Sequence, residues 1–244
     1  MMRPDGTALP PRRRGAIFLD RDGTLTEPRH YPTRPTDLIL QPDIGPPLQA
    51  LQQAGFALVV ATNQSGIARG LFDEPALEAM NSHLRHLLAQ FGVVLDGIYA
   101  CPHHPDGIVV QYQGNCDCRK PTPGMLTAAA LDLALDLDKS WMIGDSPCDI
   151  EAGLRAGTRT ALLGRHTSDN ATPNVVGSST AGILRDILAL ATTSCGRPNR
   201  QGAAGTSGSW NRSRNSWRPE PEDSLRDSDE PTGAPISGKK EWLP

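Results

Sequence analysis

The stretch Ala16-Ile17-Phe18-Leu19-Asp20-Arg21-Asp22-Gly23-Thr24-Leu25 decides the fold of this 244-residue chain. Its first four residues are apolar and are followed at once by polar ones, which predicts a short strand buried on both faces, as in parallel sheets. Asp20 would then stand at the carboxyl end of that strand, where open α/β sheets bind their ligands. The stretch therefore predicts an α/β protein with a functional site beside Asp20.

Asp20 and Asp22 lie one residue apart, so their negative charges repel each other unless a cation lies between them. Mg²⁺ is the usual hard cation for oxygen ligands of this kind. An ionised aspartate needs no base to attack phosphorus, and a second carboxylate can give and take a proton. The two residues alone predict such a site about as well as they predict an acidic turn after a strand.

Composition excludes several classes of function. The chain is 38% hydrophobic and 21% charged with a net charge of −3, which is typical of a globular protein and gives no electrostatic reason to expect a nucleic-acid partner. The sequence has no apolar run long enough for a signal peptide or a membrane span. We therefore expect a cytoplasmic protein with no membrane partner and with reduced thiols.

Further apolar runs and helical patterns alternate along the chain. The predicted later strands are Phe56–Ala61, Ile98–Ala100, Ser140–Gly144 and Thr160–Leu163. The predicted helices include Leu48 and Leu51, then Pro75–Phe91 with Asp73 as its cap, Gly124–Leu135, Ile150–Ala156 and Ile183–Leu190. This alternation predicts a parallel sheet. Residues 1–14 are expected to form a flexible arm, residues 15–191 the folded domain, and residues 192–244, which have almost no aliphatic residues, a disordered tail.

Polar residues follow the second predicted strand in the segment Thr62-Asn63-Gln64-Ser65-Gly66. A hydroxyl, amides and backbone N–H groups at that position can hold phosphate oxygens, although a polar turn with a helix cap has the same composition. Residues Arg29, His30 and Tyr31 follow the first strand closely. They are expected either to form one wall of a substrate pocket or to be an ordinary surface loop.

Two close pairs of metal-binding residues lie in the middle of the chain: Cys101 with His103, and Cys116 with Cys118. Three thiols and one imidazole are the ligand set of a closed tetrahedral Zn²⁺ site with no position for a reacting water. We therefore predict structural zinc, and the alternative is reduced cysteines that only fill space in the core.

Cationic and acidic residues follow this cluster. Arg119 and Lys120 come directly after the last cysteine, where lysine can act as a point charge toward a phosphoryl group and arginine can bind a second anion. Asp145 follows the fourth predicted strand and is expected to complete the Mg²⁺ ligands. Asp149 would hold the metal's waters or brace the loop, or else cap the next helix.

The order of these motifs resembles the haloacid dehalogenase superfamily of phosphotransferases. The motifs are Asp20-x-Asp22-Gly23-Thr24, Thr62, Lys120 and Gly144-Asp145-x-x-x-Asp149, on successive βα units. Within the superfamily, residues 62–70, 101–105 and 116–121 resemble the D-glycero-D-manno-heptose 1,7-bisphosphate 7-phosphatases of the histidinol-phosphatase-like subfamily. Two segments depart from that pattern: the family often has a lysine in place of Ser146, and His-Gly in place of Arg29-His30 before Tyr31.

The resemblance implies a three-layer Rossmann-like fold with helices on both faces, no large cap domain and a zinc-binding loop at residues 101–118. It implies a monomer that acts on a small phosphorylated sugar in nucleotide-activated heptose synthesis, for lipopolysaccharide or other glycans. The resemblance assigns Asp20 as the nucleophile and Asp22 as the general acid and base. It implies that Mg²⁺ is bound by Asp20, the Asp22 carbonyl and Asp145. Thr62 and Lys120 would contact the phosphoryl group, and Arg119 with residues near Tyr31 would contact the rest of the substrate.

Three alternatives stay open. A histidinol-phosphate phosphatase has the same zinc pattern, but its zinc loop is shorter and it usually has aspartate in place of Ser65. A non-catalytic zinc-stabilised binding module would have little reason to keep all four acidic and basic motif residues. A DNA 3′-phosphatase of the same superfamily is disfavoured because the core lacks a basic stripe.

Overall fold

A computed structural model of the chain describes residues 13–165 and 171–195. Its centre is a six-stranded sheet in the order β3-β2-β1-β4-β5-β6, in which every neighbouring pair is parallel. The strands are β1 (Ala16–Leu19), β2 (Ala57–Asn63), β3 (Gly97–Cys101), β4 (Trp141–Gly144), β5 (Arg159–Leu163) and β6 (Val175–Gly177). The strand order reverses direction at β1, so the carboxyl ends of β1 and its neighbours form the crevice in which such sheets bind ligands.

Helices cover both faces of the sheet. They are α1 (Gly45–Gln53), α2 (Glu74–Ala89), α3 (Gly124–Asp132), α4 (Pro147–Ala156) and α5 (Thr180–Cys195). The N-terminus of α2 is capped as predicted, because the Asp73 carboxylate accepts a hydrogen bond of 2.9 Å from the Ala76 N–H.

The central strands alternate their side chains between two hydrophobic clusters. Ile17 and Leu19 of β1 face a cluster that includes residues of α1, α2 and α5, whereas Ala16 and Phe18 face residues of α3. All four of these β1 side chains are fully buried. The result is the three-layer α/β architecture that the sequence predicted, with β1 in its middle.

The predicted elements are confirmed, but several of their ends differ, among them those of α3 and α4, and the structure adds one strand. Helix α4 begins at Pro147 and not at Ile150, because Ser146 is its N-cap and a proline is favourable in the first turn. Helix α3 ends at Asp132, three residues before Leu135, where Ala134 adopts a left-handed conformation with φ of 51° that a helix cannot contain. Strand β6 was not predicted, since its three residues are half-exposed and form no apolar run.

The ends of the folded domain also differ from expectation. Arg14 was assigned to the flexible arm, but its guanidinium pairs with Asp96 and its carbonyl accepts from the Asp136 N–H at 2.9 Å. Helix α5 continues to Cys195, four residues beyond the predicted boundary. The rest of the predicted arm, residues 1–12, and the rest of the predicted tail, residues 196–244, lie outside the described residues. No helix in the described ranges is long and apolar enough to cross a bilayer.

Candidate active site

Three carboxylates converge at the carboxyl ends of the two central strands. Asp20 follows β1 and Asp145 follows β4, and the Asp20 N–H donates to the Ile143 carbonyl at 2.9 Å, which extends the β1–β4 pairing to the site. One oxygen each of Asp20, Asp145 and Asp149 lies within 4.8 Å of the others. We call these three residues the carboxylate cluster.

Two glycines make this close approach possible. A Cβ atom on Gly23, whose φ is +86°, would lie only 2.0 Å from Asp145 Oδ2. A Cβ atom on Gly144 would lie 2.2 Å from Asp149 Cγ. Gly23 therefore does more than turn the chain after β1, because it also leaves space for a carboxylate from the neighbouring strand.

Lys120 lies against the carboxylate cluster and is almost fully buried. Its Nζ lies 2.7 Å from Asp20 Oδ1, 2.6 Å from Asp149 Oδ1 and 2.6 Å from the Ala61 carbonyl oxygen. Burial by itself lowers the pKa of Lys120, but the Asp149 and Asp20 carboxylates outweigh that effect and raise it. The ammonium is therefore charged, and it forms ion pairs with the Asp20 and Asp149 carboxylates.

The electrostatics of the cluster fit a divalent cation. Burial raises the pKa of Asp20 to about 6 despite the neighbouring Lys120, and burial likewise raises the pKa values of Asp145 and Asp149. Three carboxylates thus share one ammonium, while Asp145 remains open to solvent. Oxygen ligands with excess negative charge are the set that Mg²⁺ prefers. Asp20 and Asp145 are placed to hold such an ion.

Asp149 has both of its oxygens bound within the protein. Oδ1 lies against Lys120, and Oδ2 accepts from the Ser146 N–H at 3.1 Å. Ser146 in turn caps helix α4, with its hydroxyl accepting from the Cys148 N–H at 3.3 Å. The bond from the Ser146 N–H is one half of a capping box at the start of α4, so Asp149 both braces Lys120 and helps to cap the helix, two of the roles left open by the sequence. Ser146, where the family often has lysine, has a helix-capping role.

Asn63 and Gln64 were predicted to contact substrate, but their side-chain amides are bound to other residues of the site. Asn63 Oδ1 accepts from the Lys120 N–H at 3.0 Å, and Asn63 Nδ2 donates to the Lys120 carbonyl at 3.1 Å. Asn63 therefore holds the backbone of Lys120. Gln64 donates to Asp22 Oδ2 and to Thr62 Oγ1, both at 2.8 Å. Thr62 itself is 1% exposed at the end of β2.

A cavity of about 230 Å³ opens next to Asp22. Its lining residues are Asp22, Arg29, His30, Tyr31, Pro32, Asn63, Gln64, Ser65 and Gly66. The structure thus brings the loop after β1 and the loop after β2 together around one cavity, which favours the pocket-wall interpretation of residues 29–31 over that of an ordinary surface loop. Arg119 is not among these lining residues, and its guanidinium donates to the His103 carbonyl at 3.3 Å.

The four predicted zinc ligands also converge. The sulfur of Cys118 lies 3.0 Å from that of Cys101, 3.1 Å from that of Cys116 and 3.4 Å from His103 Nδ1. All four ligand atoms lie within 4.8 Å of one another. The hydrogen bond between Cys101 and Cys118 lowers the pKa of Cys118 to about 5 and raises the pKa of Cys101, so the two sulfurs share one proton between them. The cluster of these four residues, the thiol cluster, is compatible with Zn²⁺.

One residue of the site was missed by the sequence analysis. Arg21 lies between the two carboxylates of the first motif and is 0% exposed, and its guanidinium makes two hydrogen bonds to Asp22. The only available signal was an arginine inside a stretch otherwise expected to be buried, and burial of an arginine normally requires a partner.

Comparisons with known proteins agree with this geometry. The family model for HAD-hydrolase-like proteins matches residues 117–188. The D-glycero-beta-D-manno-heptose-1,7-bisphosphate 7-phosphatase of Photorhabdus laumondii is 45% identical over 150 residues, which are 62% of this chain and 80% of that protein. The chain belongs to the heptose-1,7-bisphosphate 7-phosphatase family.

Solved structures of similar sequence have the same architecture. The D,D-heptose 1,7-bisphosphate phosphatase of B. bronchiseptica, crystallised with magnesium and phosphate, is 33% identical with a TM-score of 0.63, over 72% of this chain and 99% of that one. A HAD-like phosphatase from Mesorhizobium loti is 38% identical with a TM-score of 0.67, over 80% of this chain and 93% of that one. The family assignment therefore agrees with both the fold and the motifs, and it makes this chain a phosphoric monoester hydrolase.

Proposed function

We propose that the chain is a Mg²⁺-dependent phosphatase that removes the 7-phosphate of D-glycero-D-manno-heptose 1,7-bisphosphate. The observation that carries the proposal is the contact of Lys120 with Asp20, 2.7 Å apart, inside a cluster of acidic oxygens at the end of the central strands. A carboxylate beside a fixed ammonium and a cation site is arranged for attack on a phosphate ester. The family membership supports the choice of substrate.

In the first step, an Asp20 oxygen attacks phosphorus and the bond from phosphorus to the sugar oxygen breaks. Asp22 gives its proton to that sugar oxygen, which leaves as the alcohol. The Thr62 hydroxyl donates to a phosphoryl oxygen, and the positive charge of Lys120, held against Asp20, stabilises the negative charge that the phosphoryl oxygens gain. A bound Mg²⁺ would neutralise the repulsion between the phosphate and the carboxylates.

In the second step, water attacks the phosphoaspartate at Asp20, and Asp22 accepts the proton of that water. Inorganic phosphate then leaves and Asp20 is restored. Asn63 keeps Lys120 in place during both steps through two hydrogen bonds to its backbone. We further propose that the cavity beside Asp22 holds the sugar, with Arg29, His30, Tyr31 and Ser65 as its contacts. Arg119 stays a predicted contact of the substrate's second anion.

The thiol cluster supports a structural Zn²⁺ as the second metal of this proposal. The cluster is joined to the site through the backbone, since Cys118 is followed by Arg119 and Lys120. We also propose a monomer that works on small molecules in nucleotide-activated heptose synthesis in the cytoplasm. The net charge of −3 supports the absence of a nucleic-acid partner.

The test is a phosphate-release assay of the purified full chain with both anomers of heptose 1,7-bisphosphate and with histidinol phosphate. We expect release from the heptose substrate in Mg²⁺ and none after chelation of the metal. Preference for histidinol phosphate would replace the proposal by its nearest alternative. Release from neither substrate would refute the proposed substrate.

A further inference from the structure

Arg21 binds the Asp22 carboxylate at two points. Its Nε donates to Asp22 Oδ1 at 3.0 Å and its Nη2 donates to Asp22 Oδ2 at 2.9 Å. Two parallel hydrogen bonds from a planar guanidinium fix the plane of a carboxylate as well as its position. Because the Arg21 side chain is 0% exposed, water does not compete for these contacts.

Gln64 connects this pair to Thr62. Its Oε1 accepts from Arg21 Nη2 at 2.9 Å, while its Nε2 donates to Asp22 Oδ2 and to Thr62 Oγ1, both at 2.8 Å. An arginine has donors only, so the atom of Gln64 that faces it must be the oxygen. Arg21 therefore determines which way the amide of Gln64 points, and with it which groups receive its two N–H donors.

This arrangement leaves two specific functional atoms free. Among the described residues, Asp22 Oδ2 accepts two hydrogen bonds and Oδ1 accepts one. A carboxylate has about four acceptor positions, two on each oxygen, so one position on Oδ1 remains free. Thr62 Oγ1 already accepts from Gln64, so the hydroxyl hydrogen of Thr62 is free to be donated elsewhere. Asp22 is thus presented through Oδ1, and Thr62 is presented as a donor.

We propose that Arg21 and Gln64 are positioning residues that orient the Asp22 carboxylate toward the leaving oxygen and the Thr62 hydroxyl toward the phosphoryl group. The inference rests on the proposed phosphatase function. Structural need alone is a poor explanation for this arrangement, since Arg21 Nη1 is buried with no partner among the described residues. A buried and only partly satisfied cation is costly compared with an apolar residue of similar size.

The test compares substrates whose leaving groups differ in their need for a proton. The alkoxide of a sugar is a poor leaving group and depends on the acid, whereas p-nitrophenolate leaves without protonation. The ratio kcat/KM covers the steps through phosphoryl transfer to Asp20. We would measure it in Mg²⁺ for heptose 1,7-bisphosphate, glycerol 3-phosphate and p-nitrophenyl phosphate.

Arg21→Lys keeps a positively charged donor for Gln64 Oε1, and with it the orientation of Thr62, but removes the paired hydrogen bonds to Asp22. We expect kcat/KM to fall by about 100-fold for the two alkyl esters, within the range that general acid catalysis provides, and by no more than about threefold for p-nitrophenyl phosphate. Arg85→Lys, on the exposed face of α2, is the matched control and should leave all three values unchanged. Equal losses on all substrates, or no loss in a folded variant, would overturn the role assigned to Arg21.

Gln64→Met is the second variant, and it tests the proposed positioning role even if Arg21→Lys does not fold. It removes the amide at similar volume. We expect kcat/KM to fall for every substrate, because the Thr62 hydroxyl loses the hydrogen bond from Gln64 that orients it. For the alkyl esters we expect kcat/KM to fall by about tenfold more. Gln53→Met, at an exposed position of α1, is its control. A folded Gln64→Met with wild-type values refutes the inference. Wild-type enzyme that hydrolyses glycerol 3-phosphate but not the heptose ester refutes only the proposed substrate.

Discussion

The carboxylate cluster and the thiol cluster are built in different ways. Asp20 and Asp145 of the first are 125 positions apart and meet only because β1 and β4 are neighbours in the sheet. The four residues of the second lie between Cys101 and Cys118, at the end of one strand and in the loop that follows it. A site assembled by the sheet depends on the whole fold, whereas a site within one loop depends on local chain reversal.

The two clusters also differ in the work that their groups can do. The carboxylate cluster has one member that is open to solvent, Asp145, and Asp22, two residues after Asp20, lines the cavity of about 230 Å³. A substrate can therefore reach this part of the molecule. The thiol cluster offers four ligand atoms, which would complete the coordination of a tetrahedral Zn²⁺ and leave no position for a substrate. Substitutions in the first should therefore affect chemistry, and substitutions in the second should affect stability.

The largest expected effect is on the activity of Asp20→Asn. An amide is not a nucleophile toward phosphorus, so we expect turnover to fall by more than about 1,000-fold. The fold should be kept, because the change removes one of three crowded carboxylates. Phosphate release and thermal unfolding measured side by side check both statements. Turnover near that of the wild type would remove Asp20 from the proposed role.

The opposite pattern is expected for Cys118→Ser in the thiol cluster. We expect bound zinc to drop from about one ion per chain to near zero and the thermal midpoint to fall, since a structural zinc contributes to folding directly. Residual activity per folded molecule should decline less than in Asp20→Asn. Cys148→Ser is the matched control, because Cys148 lies outside the thiol cluster and should not change the zinc content. Zinc retained in Cys118→Ser would contradict the predicted ligand set.

Gly23→Ala should weaken the carboxylate cluster without touching its charges. The new Cβ would meet Asp145 Oδ2, so we expect the apparent affinity for Mg²⁺ to fall by about 10- to 100-fold, as for other changes that misplace a metal ligand. Gly55→Ala is the control: Gly55 also has a positive φ, of +93°, but nothing lies within 4 Å of its Cβ position. Measuring activity as a function of Mg²⁺ concentration for both variants separates the effect of the contact with Asp145 from the effect of backbone strain at a positive φ. Equal shifts in the two variants would contradict the contact.

The smallest expected effect is that of Ser146→Ala at the start of α4. Loss of the N-cap should reduce the free energy of unfolding by about 1 kcal/mol. Activity should change little, because the Ser146 N–H, and not its side chain, holds Asp149. Ser82→Ala, on the exposed face of α2, is the control for denaturant unfolding. A large loss of activity in Ser146→Ala would assign the hydroxyl a role beyond capping.

Much of the fold followed from the sequence because its apolar runs are short, separated and followed by polar strand ends. Five of the six strands were predicted in this way, whereas β6 is a half-exposed edge strand of three residues with no such signal. The thiol cluster was predictable for a different reason, since its ligands are close in sequence and their types are specific to a metal. Helix ends were predicted less accurately, as the start of α4 at Pro147 illustrates, because a helix cap depends on the local backbone conformation.

The sequence by itself determined the residue types of the site and their order on successive strands. Only the tertiary structure decided what Asn63, Gln64 and Arg21 bind, because an amide or a guanidinium can bind substrate or protein equally well until its neighbours are placed. The strand order brought Asp20 and Asp145 together, and the absence of a side chain on Gly23 allowed their approach. The sequence determines which chemical groups are present and in what order, whereas packing determines the partner of each polar group.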